Sequence, residues 1–154
     1  MRRLRDGEWI AGAGALALLA SMFLHWYALD VALLGGVAAE ATAWQAFGVL
    51  DIVLALLALV PLALVFTQAT RPSPAIPVFL SVMTLLAGTL ASLLIVYRIV
   101  NQPGANEIVD VQAGAWLGLL AAAVIAAGGV RSMRGEVVPG QPMPPVEDLP
   151  APAP

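Results

Sequence analysis

WIAGAGALALLASMFLHWYAL, residues Trp9–Leu29, is apolar from end to end apart from Ser21 and His25. A hydrocarbon core about 30 Å thick is crossed by about 20 helical residues, so this stretch is long enough to be a span. Three further runs of the same character follow, Ile52–Phe66, Ile76–Tyr97 and Ala113–Val130. Together they predict an all-α chain, a four-helix transmembrane bundle with spans over about 9–29, 47–67, 76–98 and 113–131.

Composition supports lipid as the solvent. Apolar residues make up 60% of the 154 residues and charged residues 11%, against about 45–50% and about 25% in soluble domains. Cysteine is absent and all seven basic residues are Arg. Disulfides, thiolate metal sites and a cysteine nucleophile are therefore excluded, and the arginine-only usage points to a GC-rich bacterial source. The net charge of −3 is divided between the two sides of a membrane and does not act as one field. Nothing in it suggests a nucleic-acid partner.

The arginines set the orientation. Arg2, Arg3 and Arg5 precede the first run, Arg71 separates the second from the third, and Arg131 and Arg134 follow the fourth, leaving Arg98 alone on the opposite side. Cytoplasmic loops retain such residues, so both termini are expected in the cytoplasm of a bacterial cell membrane protein. The first run exceeds the roughly 7–15 residues of a signal-peptide core, and the cleavage-like Ala39-Glu40-Ala41 lies far downstream, so a retained span is expected. Trp26, Tyr27, Trp44, Phe47, Tyr97 and Trp116 fall at the outer ends, as an interfacial aromatic belt would. The two outer loops carry Asp30, Glu40, Glu107 and Asp110.

Proline punctuates the rest. Pro72, Pro74 and Pro77 mark the inner turn, while Pro61 lies inside the second span and is expected to bend it. From residue 135 to residue 154 the chain becomes Pro-rich and is read as a disordered cytoplasmic tail, so the domain division is 1–134 and 135–154. Pro142-Met143-Pro144-Pro145 fits a PxxP pattern formally, without the basic neighbours such ligands use.

Helices in lipid associate through small residues that let backbones approach. Gly114, Gly118, Ala122 and Ala126 recur every fourth residue and form the expected helix-packing stripe of the last span, within the monomer or against a second copy. Ionisable side chains inside a span default to a functional hypothesis. His25, Asp51 and Arg98 lie at similar depth near the outer ends, and an Arg98–Asp51 pair beside His25 is the arrangement predicted for them, with a structural role favoured over a pH-responsive one. No catalytic, cofactor-binding or metal site is expected. Ser21, His25 and Asp51 supply triad residue types, but Ser21 has no glycine-framed turn to expose its oxygen. With one His, no Cys and no HExxH, transition-metal ligands are lacking.

The residues Phe23-Leu24-His25-Trp26-Tyr27, then Ala43-Trp44-Gln45-Ala46-Phe47 with Asp51 leading the second span, resemble small four-span bacterial integral membrane proteins of unknown function. The resemblance covers the spans and implies a membrane location without an activity. Four-span junction proteins of animals share the topology but carry a first-loop cysteine pair that is missing here. A non-enzymatic structural or accessory subunit, assembling with itself or with a membrane-protein partner, is expected first. A component of an oligomeric transporter or channel, in its sharper form a pH-responsive one, is the alternative.

Overall fold

A computed structural model describes residues 6–29, 39–70, 75–103 and 108–136. The Pro-rich tail beyond residue 136, the first five residues and Asp30 lie outside the described residues, as do the expectations placed on them.

The elements run α1 (Asp6–Ser21), β1 (His25–Leu29), β2 (Glu40–Thr42), α2 (Ala43–Ala46), α3 (Leu50–Thr70), α4 (Ala75–Val100), β3 (Val109–Val111) and α5 (Ala113–Glu136). The described chain is mostly helical. Three helices, Leu50–Thr70, Phe79–Val100 and Ala113–Arg134, are long and apolar enough to cross a membrane. Helix α1 has 16 residues, about 24 Å at the helical rise, which falls short of the core thickness.

The expected first span is therefore corrected. Its last five residues, His25–Leu29, form the central strand of an antiparallel three-stranded sheet in the order β2-β1-β3, so the chain is not wholly helical. Composition favours the break, because His25-Trp26-Tyr27 is rich in aromatic side chains that suit a half-buried pleated surface. The last turn of α1 tightens as it ends, with Phe23 N–H donating to the Ala20 carbonyl at 3.1 Å and Leu24 N–H to that of Ser21 at 3.0 Å.

In the sheet, His25 pairs with Thr42, Tyr27 with Ala41 and Ala28 with Glu40, leaving a bulge at Trp26. The opposite edge of β1 sets Tyr27 against Val111 and Ala28 against Asp110. The bulge re-aims Trp26 out of the ladder and toward the helices. Thr42 N–H donates to Gln45 Oε1 at 3.1 Å, half of the Thr-x-x-Gln capping box that starts α2.

Helices α1, α5, α4 and α3 form a closed ring in that order, each packed on its two neighbours. The close contacts are made by glycine. A Cβ at Gly128 would collide with Ala11 on α1, one at Gly129 with Leu85 on α4, and one at Gly88 with the backbone of Ala126. Inside the ring lie Leu18, Leu54, Leu64, Ile95 and Ile125, whereas Leu16, Phe66, Phe79, Leu93 and Leu120 point outward. Bulky apolar side chains thus cover the outside of the ring, while glycine and alanine make the closest helix crossings. Helix α3 runs through Pro61 without interruption, with the ring buried.

Candidate functional site

One end of each of the four long helices meets the others beneath the sheet. The C-terminal end of α1 leads into β1, α2 leads into α3, β3 leads into α5, and Arg98 in the last turn of α4 reaches the same layer. Phe47 is the hub. The edge of Trp26 meets it at a centroid distance of 5.5 Å and 90°, Tyr27 meets it at 5.8 Å and 82°, and the Arg98 guanidinium carbon lies 4.7 Å from its ring centroid. Rings set nearly perpendicular to one another and a cation near the ring centroid both suit the aromatic quadrupole.

Hydrogen bonds lock this layer. The Trp26 indole N–H donates to the Ser21 carbonyl at 2.7 Å, a second donor to the acceptor that the Leu24 N–H also reaches where α1 ends. The Tyr27 hydroxyl donates to the Arg98 carbonyl at 3.0 Å, tying β1 to the end of α4. Burial pushes the Tyr27 phenol up to about 12, with the Arg98 charge opposing part of the rise. Trp26, Tyr27 and Phe47 are buried, while Trp44, Tyr97 and Trp116 remain exposed. The expected aromatic belt is thus divided, half of it having become the core of a cap.

The three ionisable residues of the sequence reading all lie at this end of the bundle but do not converge. His25 stands on β1, and its Nδ1 is 3.0 Å from Glu40 Oε2 across the strand pair, with both side chains more than half exposed. Asp51 is 6% exposed in the first turn of α3, where its Oδ1 accepts from the Ile52 N–H at 2.7 Å. Carboxylates there are favoured by the helix dipole. Arg98 covers Phe47, and no ion pair joins it to Asp51 among the described residues. The predicted Arg98–Asp51 contact is therefore corrected, because an aromatic face and a helix N-terminus satisfy the two groups separately.

The stripe on α5 packs within the chain, and it does so in two halves. Gly114 and Gly118 lie under Trp26, with a Cβ at Gly118 falling 2.7 Å from the indole. Ala122 and Ala126 face Gly88 of α4. Two participants were missed by the sequence reading. Phe47 was read as a belt residue, and its hub position depends on partners from two other segments, β1 and α4. Glu8 is fully buried at the inner end of α1, although its place in a first turn ahead of Trp9 carries no signal of burial.

The chain shows no significant match to any protein-family model, to any curated protein or to any solved structure.

Proposed function

We propose that the chain crosses the bacterial cytoplasmic membrane four times with both ends in the cytoplasm, and that it is a non-enzymatic structural or accessory subunit of a membrane assembly. The fourth crossing is α1, with the aromatic cap lying beyond the hydrocarbon at its outer end. Alternation of the helices supports an even number of crossings, because the sheet gathers the end of α1, the start of α3, the end of α4 and the start of α5. Arginine placement assigns the other end to the cytoplasm.

The observation that carries the subunit reading is an outward groove of about 490 Å³ between α1 and α5. Its floor is Ala13, Gly14, Ala17 and Ala20, and Leu117, Leu120 and Val124 form its wall. The small residues of the α5 stripe are used inside the ring and Gly14 packs on Ile125, whereas Ala13, Ala17 and Ala20 of α1 are exposed and open to a helix from another chain. Replacing Ala17 by Trp fills the floor without touching the ring interior. Cross-linking in native membranes is expected to trap a partner of defined mass for the wild type and to lose it in Ala17→Trp. A chain that stays monomeric in both, with the fold intact, overturns the reading.

The alternative, a pH-responsive component of an oligomeric transporter or channel, is favoured by the His25–Glu40 contact, an ion pair only while the imidazole is protonated. Cross-links closing a ring of identical copies would favour it over the accessory role.

A further inference from the structure

The groove between α1 and α5 has unequal flanks. Its α1 side is low, made by Ala13, Ala17 and Ala20, and its α5 side is high, made by Leu117, Leu120 and Val124. The three alanines and both leucines are exposed. The register between the flanks is fixed where the two helices touch. A Cβ at Gly7 would meet Ser132, one at Gly128 would meet Ala11, one at Gly14 would meet Ile125 and one at Gly118 would meet Ser21, so α1 and α5 run antiparallel with matched depths along their contact. In that register Val124 stands at a depth between Ala13 and Ala17, Leu120 between Ala17 and Ala20, and Leu117 just beyond Ala20. The bulky side chains of one flank are level with the gaps between the small ones of the other.

Charge follows the same division. Asp6 precedes Ala13 by seven residues and Arg131 follows Val124 by seven, so each continues its own flank two turns toward the end remote from the sheet. Their nearest charged atoms are 4.0 Å apart and both side chains are well exposed, which leaves each charge room for a second partner.

Two copies inserted in a membrane with the same sidedness are related by a twofold axis along the membrane normal, and such an axis keeps every residue at its own depth. Set over the groove, it places α5 of each copy against α1 of the other. Leu117, Leu120 and Val124 of one copy then enter the gaps along Ala13, Ala17 and Ala20 of the other, as knobs enter holes between small residues. Asp6 of each copy gains the Arg131 of the other, and the four charges alternate in sign around the axis.

We propose that the α1–α5 groove seats a second copy of this chain, in a closed twofold dimer where α1 of each copy packs on α5 of the other. The dimer rests on the accessory-subunit reading and its membrane crossings, and it names the partner that the groove takes.

Because the chain contains no cysteine, a disulfide between a chain carrying Ala17→Cys alone and a differently tagged chain carrying Leu120→Cys alone forms only between copies. The two chains are co-expressed and oxidised in native membranes. The control pairs Leu120→Cys with Leu93→Cys, which lies at matching depth on the exposed face of α4. The expected product is a covalent dimer carrying both tags, roughly tenfold more abundant than the control product, since bridging requires Cα atoms within about 7 Å. Sedimentation of the full chain in detergent is expected to give the mass of two copies, and Ala17→Trp the mass of one with helical circular dichroism unchanged. A cross-link no more abundant than the control overturns the dimer. So does a mass above two copies, which marks a ring, or a dimer that persists in folded Ala17→Trp. In native-membrane cross-linking of the wild type, a partner of different mass at the groove overturns the second copy and leaves the accessory reading standing, whereas a chain with no partner removes both.

Discussion

Trp26 connects pieces of chain that the backbone leaves apart. Its ring lies over Gly114 and Gly118, its N–H closes the Ser21 carbonyl, and its edge meets Phe47. Trp26→Ala should cost about 3–5 kcal/mol, the usual range for emptying a buried aromatic site. Unfolding in detergent checks this, and a loss under 1 kcal/mol would show that the cap is not part of the cooperative fold. Tyr27 makes a subtler case, since its phenol is neutral in the folded state and pushed up to about 12 from an ordinary 10.0. A raised value means that the folded chain holds the proton after the unfolded chain has released it. The resulting stabilisation is intact below about pH 10 and disappears as pH climbs through about 12. Tyr27→Phe should therefore remove the late phase from the alkaline absorbance titration, and should lower stability by the roughly 0.5–1.5 kcal/mol of one hydrogen bond. A late phase that survives the substitution would assign it to another group.

Glycine decides where the elements touch. At Gly88 an added methyl meets the backbone of Ala126, which has no side-chain freedom with which to yield, whereas at Gly48 nothing lies within 4 Å. Gly88→Ala should thus destabilise by about 1–3 kcal/mol through overpacking. Gly48→Ala should be neutral or stabilising by up to about 1 kcal/mol through the unfolded chain. Equal effects at the two positions would show that the unfolded chain, and not the α4–α5 crossing, is being measured. The same elements show what the sequence makes legible. Helices α3, α4 and α5 could be read because charge or proline brackets each apolar run, and α5 could be assigned its packing face because its small residues keep strict period. Strand β1 could not, since His25–Leu29 is as apolar as the helix before it and its partners β2 and β3 belong to two other segments of the chain. That His25, Asp51 and Arg98 lie toward one end of the bundle was legible from their positions in the runs. Their separate partners were not, because Glu40 reaches His25 through strand register and Phe47 reaches Arg98 through tertiary packing.

The whole molecule has a sidedness that its own composition makes testable. Sequence alone orders the arginines, and the structure adds that Asp6 on α1 lies 4.0 Å from Arg131 on α5, so the start of the first helix and the end of the last share one end of the ring. Glu40 and Asp110 face each other across Ala28 in the sheet at the opposite end. Because the chain contains no cysteine, single cysteines introduced at Asp6, Glu40, Asp110 and Arg134, all exposed positions, report location without background. In sealed inside-in vesicles an impermeant maleimide should label the Glu40 and Asp110 positions at once, and the Asp6 and Arg134 positions after the membrane is opened. The alternatives separate the two arguments cleanly. If the whole pattern is reversed, the bundle stands and the arginine rule has failed for this chain. If Asp6 and Arg134 are labelled from opposite sides, the ring itself is wrong, since no membrane can divide residues that pack on the same end of α1 and α5.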